Sequence, residues 1–430
     1  MIPVRATRRT LGLLTTGQAV AAACILTQTV VLARILGADE FGRYAIVVAT
    51  GGLVAMMIDV RSWETVMRFT HRFRERERPD LAWATVRLLL AADIAVALVI
   101  AVGLTLATRV PIGRNLMADA DPTLMLLYGG TILAASPFGT AFGLTYAAQR
   151  QPQAAAVEAL GAAGQLAGTA VAALLTRDAG WVIVALTGGI LLRTAAAWAV
   201  GMRSARSLGL LDGPRAPLGA LRPYLSEFAR FWVSTTGFAV VKALGGNADT
   251  VAVGHVGALP DVARYRVSAG VARMTGVIVQ PLYQLAYPRF SAAAAAGRHV
   301  EARQLLRRAT SVTAIVAAVV VGGLALWGGY AIEAVFGTEF SGLGMVAAII
   351  ALGVGISATG QFAHAYLLAG GALKAINISN AVYAGSLVAS LIILTPDGGA
   401  IGAAQATVLA ATCRQIPLLI ALRRAPRVAA

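Results

Sequence analysis

The chain has 430 residues, of which 58% are hydrophobic and 13% charged, with 36 Lys and Arg against 20 Asp and Glu. A soluble domain carries about 25% charged residues, so a mean hydropathy of +0.73 excludes a single soluble core and makes lipid the solvent for most of the chain. The net charge of +16 would suit nucleic acid, but the basic residues are spread through short loops between apolar runs, which is the positive-inside pattern and not a phosphate-gripping tail.

A membrane helix needs roughly 20 apolar residues, and in lipid every backbone polar group must be paired within the protein. The runs here are continuous and lack the alternation of a barrel. They predict about twelve spans, near 11–36, 41–60, 81–108, 122–147, 153–176, 180–202, 228–257, 261–288, 307–332, 343–370, 374–395 and 398–422. Arg5, Arg8 and Arg9 precede the first run, which is too long for a signal peptide and has no convincing cleavage site. Cys24 and Cys413 fall inside apolar runs, so no disulfide framework is expected.

With the N-terminus inside, the inner loops collect Arg61, Arg68, Arg72, Arg74, Arg76 and Arg78, then Arg150, Arg203, Arg206, Arg215 and Arg222, then Arg289, Arg298, Arg303 and Lys374. Outer turns carry Asp39, Glu40, Asp119, Asp121, Asp178, Asp261, Glu333, Glu339 and Asp397. The expectation is a multi-pass protein of the cytoplasmic membrane with both termini cytoplasmic. The domains expected are 1–202 and 228–430, two six-helix bundles, with 203–227 as a cytoplasmic connector. In the loop 61–80, Trp63, Val66, Met67 and Phe73 share a helical face, which suits either an amphipathic helix on anionic lipid or a solvated connector. Leu218, Leu221, Leu225, Phe228 and Trp232 keep helical spacing and are expected to lead directly into the seventh span.

The turn ARILGADEFGRYA (33–45) has a looser copy in GHVGALPDVARYR (254–266). Each joins the first two spans of a six-span half, which implies parallel repeats. LARILGADEFGRYA resembles the first inter-span turn of polysaccharide flippases, the Wzx-type branch of the multidrug/oligosaccharidyl-lipid/polysaccharide exporter superfamily. NADTVAVGHVGALPDVARYRVSAG (247–270) resembles that family's seventh and eighth spans, VFGTEFSG (335–342) the turn after the ninth, and DGGAIGAAQATVL (397–409) the start of the twelfth. Asp261-Val262-Ala263 departs from the family, which keeps a second glycine there. The resemblance implies an all-α polytopic fold of two six-helix bundles forming a V around a central cavity. It also implies a transporter that moves a polyprenyl-diphosphate-linked oligosaccharide from the inner to the outer leaflet by alternating access. Alternatives are a multidrug/cation antiporter of the same fold, a membrane-embedded glycan polymerase and a lipid II flippase. The polymerase would need a large outer loop, and the lipid II flippase usually has further spans.

An ionisable group at mid-membrane costs ~2.5–3.5 kcal/mol on insertion scales and normally faces a partner or a wet cavity. Arg266, Arg273 and Gln280 recur at seven-residue spacing in the eighth span, as do Thr235, Lys242 and Asp249 in the seventh. Seven residues are nearly two turns, so each set shares a face. Lys242 and Arg273 are therefore candidates to bind the diphosphate, with Arg266, Arg193 and Arg34 as further substrate-binding candidates. Arginine supplies a fork of donors and lysine a point charge. Internal pairing with Asp249 or Asp93 is the other reading of the same residues. Asp249, Asp93 and Asp59 are candidate proton or cation sites. Snorkelling would account for Arg87 and Arg414. Gly161, Gly164 and Gly168 suit close helix packing, and His364 reads as a structural polar residue. Neither a metal cluster nor a phosphate-binding Gly-Lys-Ser/Thr loop occurs in the sequence, so no cofactor and no ATP hydrolysis is expected, and the resemblance implies a transporter and not an enzyme. The expected partners are the lipid-linked glycan, membrane lipids and other membrane proteins of polysaccharide assembly, with no nucleic acid.

Overall fold

A computed structural model describes residues 4–58, 62–118, 120–214, 216–295, 298–369 and 372–424. Among them there is no strand. The helices are α1 (Val4–Met57), α2 (Ser62–Glu75), α3 (Pro79–Ala107), α4 (Pro111–Leu116), α5 (Pro122–Ala135), α6 (Phe138–Ala147), α7 (Gln151–Thr176), α8 (Ala179–Ser207), α9 (Leu225–Ala243), α10 (Asp249–Val256), α11 (Leu259–Ala295), α12 (His299–Phe336), α13 (Gly344–Ala369) and α14 (Leu373–Arg424).

Local chemistry sets their ends. Proline sits in the first turn of α3, α4, α5 and α7, where its missing N–H costs nothing. The Asp121 carboxylate accepts from the amides of Thr123 and Leu124 at 2.7 and 3.2 Å, and Asp178 accepts from that of Trp181 at 3.0 Å. Both replace bonds that the first turn of a helix lacks. α1 is kinked at Gly37 (φ 74°, ψ 177°) and α14 at Gly399 (φ 51°, ψ −130°). Both lie in a region of backbone space that glycine enters without penalty.

Among the described residues, eight helical segments are long and apolar enough to cross a membrane. The segments containing the kinks at Gly37 and Gly399 each cover two of the expected spans. α9 with α10, and α11, occupy the positions of the two that remain and are not among the eight. The expected fourth span is broken at Ser136-Pro137 into α5 and α6.

The chain forms two compact units, Met1–Leu36 with Thr50–Ala239, and Gly37–Ala49 with Val240–Ala430. In the first unit α2 is amphipathic, as its sequence predicts, but protein covers its apolar face. Val66, Phe69 and Phe73 are fully buried in a cluster with Leu81, Leu144, Leu210 and Leu221. Phe69 meets Phe228 with ring centroids 4.3 Å apart, and Phe73 meets Tyr224 at 5.0 Å. Arg72 donates to Glu227, and the Arg68 guanidinium stands 4.8 Å from the Phe231 ring centroid. That face is therefore neither laid on lipid nor left in solvent.

The run at 218–232 leads directly into the seventh span, as its spacing predicts, but not as one unbroken α-helix. Residues Leu218–Tyr224 form a 3-10 turn containing Pro223, and the α-helix begins only at Leu225. Leu221 is buried, whereas Leu218, Leu225 and Trp232 are exposed. Proline removes the donor an α-helix would need there, so the spacing did not translate into one buried stripe.

In the second unit Val279, Phe290, Ala309 and Phe362 are buried in one cluster from α11, α12 and α13. The first part of the second span with the turn before it, 37–49, belongs to this unit. Phe41, Ala45, Ile46, Val47 and Ala49 are each at most 2% exposed.

Candidate substrate and coupling sites

Among the described residues, the second unit holds a dense buried polar group around Asp249. Between α9 and α10 the helix widens into a π-turn, Leu244–Ala248, reading LGGNA. Gly245 suits it, because a Cβ there would lie 2.8 Å from the Tyr383 hydroxyl. A π-turn adds a residue to the turn, so the helix beyond it is rotated by roughly a quarter turn relative to an unbroken α-helix. The seven-residue stripe from Lys242 to Asp249 is displaced accordingly. The side chain of Lys242 lies outside the described residues.

Asp249 opens α10 and is 2% exposed. Its Oδ2 accepts from Tyr265 Oη at 3.0 Å and from Arg273 Nη2 at 2.9 Å. Its Oδ1 accepts from the backbone amide of Thr250 at 2.7 Å and from Thr250 Oγ1 at 3.3 Å. Four donors satisfy a buried carboxylate that would otherwise be very costly. The Arg273 side chain remains 28% exposed, so its pairing with Asp249 occupies part of the fork and leaves part accessible. Arg266, two turns away on α11, is half-buried and acts electrostatically on the Tyr44 phenol.

Arg414, which sequence reasoning assigned to snorkelling, points into the protein. Its Nη2 donates to Asn380 Oδ1 at 3.2 Å, and its guanidinium lies 5.5 Å from the Tyr383 ring centroid. No described acid pairs with it, its Nε is buried without a hydrogen bond, and so is Nε2 of His364. Arg414 and His364 interact electrostatically. Tyr383 lies in the fields of Asp249, Arg273 and Arg414 and so joins the two groups. The missed signal was the Asn380–Tyr383 pairing one turn apart, opposite Arg414.

In the first unit the candidates are dispersed. Asp93, buried midway along α3, accepts from Ser62 Oγ and, at 2.7 Å, from Thr140 Oγ1, which ties α2 and α6 to α3. The Arg193 guanidinium stacks 4.4 Å from the Phe138 ring centroid, in the field of Glu158. Gly161 makes room for it, since a Cβ there would sit 2.5 Å from Arg193 Cγ. That contact explains Gly161. At Gly164 a Cβ would meet nothing, so no close approach requires the glycine there. Arg34 is exposed one turn before the Gly37 kink. Asp59 lies outside the described residues. Arg87, also assigned to snorkelling, instead donates to the carbonyl of Ala216. Among the described residues no group of three His, Cys, Asp or Glu side chains is placed to hold a metal ion.

The model of a family described as "Polysaccharide biosynthesis protein" matches residues 8–294, two thirds of the chain. No curated protein matches it. Several solved structures do. The lipid II flippase MurJ, in an inward closed conformation, superposes with a TM-score of 0.75 at 14% identity, over 96% of this chain and 87% of that one. A Vibrio cholerae MATE transporter, VcmN in the bent form, gives 0.57 at 14% identity, over 97% of each chain. A MOP superfamily transporter from Pyrococcus furiosus gives 0.55 at 12% identity, over 97% and 94%. At these identities the likeness is one of fold, and the fold is that of membrane transporters and flippases.

Proposed function

Because the chain belongs to the polysaccharide biosynthesis protein family, we propose that it moves a polyprenyl-diphosphate-linked oligosaccharide from the inner to the outer leaflet of the cytoplasmic membrane. The observation that carries this reading is a charge imbalance. Midway along the spans of the second unit, Arg273 and Arg414 are set against one described carboxylate, Asp249. Charges in such a setting need a counter-ion, and a diphosphate supplies two negative groups. Arg273, still partly exposed, and Lys242 receive the diphosphate; Arg266, Arg193 and Arg34 guide it. The lipid tail stays in the bilayer while the sugar changes side as the site opens first inward and then outward. Both termini are cytoplasmic on this reading. Asp249, Asp93 and Asp59 are the carboxylates through which a proton or cation gradient would act.

A cation antiporter would place net negative charge in the same spans, which is the opposite of what the second unit holds. The chain covers 87% of the lipid II flippase and 97% of the MATE transporter, the difference expected if that flippase has spans beyond twelve. The test is a leaflet-accessibility assay of the lipid-linked glycan in a deletion strain. Rescue by the wild type and failure of Lys242→Ala/Arg273→Ala, made at normal level, is the expected result. Full rescue by the double variant removes the cationic site. Intact glycan export in the deletion strain, with loss of drug resistance, removes the flippase reading.

A further inference from the structure

One face of α6 is aromatic. Phe138, Phe142 and Tyr146 recur every four residues and are all half-buried, while Thr140, Ala141, Gly143 and Leu144 fill the buried side. Residues four apart are neighbours on a helix, and the rings follow one another with centroids 5.3 and 4.6 Å apart. Trp63 of α2, also half-buried, joins them edge-on, 6.3 Å from Phe142 and 5.9 Å from Tyr146. Gly143 permits this approach, because a Cβ there would lie 2.8 Å from the Trp63 carbonyl oxygen. The rings form a continuous row, about 12 Å from Phe138 to Tyr146 at a rise of roughly 1.5 Å per residue. That is long enough for more than one sugar ring.

Charged groups flank the row. The Arg193 guanidinium lies over the Phe138 ring. Glu158 of α7 acts electrostatically on Arg193 and on Tyr146, at the two ends of the row, so its carboxylate lies alongside. Arg193 and Glu158 are half-buried, whereas Leu192 and Leu160 beside them in the chain are 74% and 73% exposed. Those leucines suit hydrocarbon. The charged side of α7 and α8 calls for a partner or a wet surface, so a lipid tail is a poor match for the row. A lipophilic cation is another ligand that aromatic rings attract. Here Arg193 already fills the cation position over Phe138, and Glu158 balances it. What fits is a neutral ligand with an apolar face and a polar edge. A sugar ring has both, since its C–H bonds stack on aromatic rings and its hydroxyls bond to charged side chains. Ligand sites of this kind are lined by aromatic side chains with a few placed polar groups.

We propose that Trp63, Phe142 and Tyr146 are the stacking surface of a glycan subsite in the first unit, with Arg193 and Glu158 as its hydrogen-bonding edge. The subsite takes the sugar rings of the lipid-linked ligand, and the tail has no part in it. It rests on the proposed function, which supplies the glycan and has Arg193 guiding the diphosphate to which that glycan is joined.

The test compares two probes on the full chain in lipid nanodiscs: the lipid-linked glycan extracted from host membranes, and polyprenyl diphosphate without sugar. Phe142→Leu/Tyr146→Leu keeps apolar bulk and removes the stacking faces. This variant is expected to bind the glycan-bearing lipid at least tenfold more weakly than the wild type does, and the bare lipid equally well. An equal loss for both probes, or no loss for the glycan-bearing one, overturns the subsite. A second measurement needs no lipid. Glycan released from its carrier by mild acid is added at millimolar concentration, and tryptophan fluorescence is followed. A shift in the wild type that Trp63→Phe abolishes is expected. No shift, or the same shift in both proteins, overturns the subsite. A shift produced by tetraphenylphosphonium in place of the glycan, and lost in Trp63→Phe, assigns the row to a cation and overturns it as well. If the wild type binds neither lipid, the proposed function fails while the fluorescence result still decides the subsite.

Discussion

Arg273 Nη2 lies 2.9 Å from Asp249 Oδ2, and the carboxylate has three further donors around it. Removing one member of a buried ion pair strands the other, at a cost of about 3–5 kcal/mol, whereas removing both is far milder. Arg273→Ala should therefore lower the unfolding midpoint of the detergent-purified protein more than Arg273→Ala combined with Asp249→Asn. A thermal double-mutant cycle reads the coupling directly. Equal midpoints for the single and double variants would show that the pair carries no coupling.

The pair Arg72–Glu227 fastens α2 to the start of α9, and the Arg72 hydrogen bond, outweighing partial burial, holds the Glu227 carboxyl below the usual glutamate range. A group whose folded pKa is depressed contributes stability above its unfolded pKa and loses it as pH falls through the folded one. Glu227→Gln should thus lower thermal stability at pH 7 by about 1 kcal/mol or less, since both side chains are partly solvated. The difference between variant and wild type should fade below about pH 4. A gap that persists at acid pH would assign the effect to packing.

Gly42 and Gly51 should respond alike in stability and on different elements. Gly42→Val drives a side chain into Leu259 backbone, which cannot yield as a flexible side chain would. Gly51→Val meets the ring of Tyr128. Overpacking of this kind costs typically 1–3 kcal/mol. Limited proteolysis should find α11 loosened by the first and α5 by the second. Loss of protection in the same segments for both variants would contradict the division of the second span.

The sequence discloses the spans because lipid enforces length and apolarity on every one of them. It also discloses the turn at Gly37, since that glycine and the acids beside it interrupt the runs. What escapes it is where interruptions are absorbed within a helix. The LGGNA π-turn leaves no polar break, yet it rotates Asp249 away from the register of Lys242. Pro223 undoes the apparent stripe of Leu218, Leu225 and Trp232. Arg87 and Arg414 look peripheral by distance from the ends of their spans, but their long side chains turn toward a carbonyl and a tyrosine ring. Neither direction is encoded in spacing. The membership of 37–49 in the second unit is likewise invisible, since it arises from contacts with residues more than 200 positions away.

Arg414 supplies the contrasting prediction to Arg273. No described carboxylate pairs with its guanidinium, and its Nε is buried without a hydrogen bond. Replacing it by methionine leaves no stranded acid, removes a desolvated charge and keeps a side chain of similar length against Tyr383. Buried charges replaced by well-packed apolar groups are often neutral or stabilising, so Arg414→Met should keep or raise the unfolding midpoint, while Arg273→Ala lowers it. If the charge is held there for an anionic headgroup, the same variant should lose at least tenfold in flipping rate despite that stability. Arg414→Lys should recover part of the rate, because it restores the charge without the fork. A stable Arg414→Met protein that flips at the wild-type rate would remove Arg414 from the cationic site and leave Arg273 and Lys242 to hold the diphosphate alone.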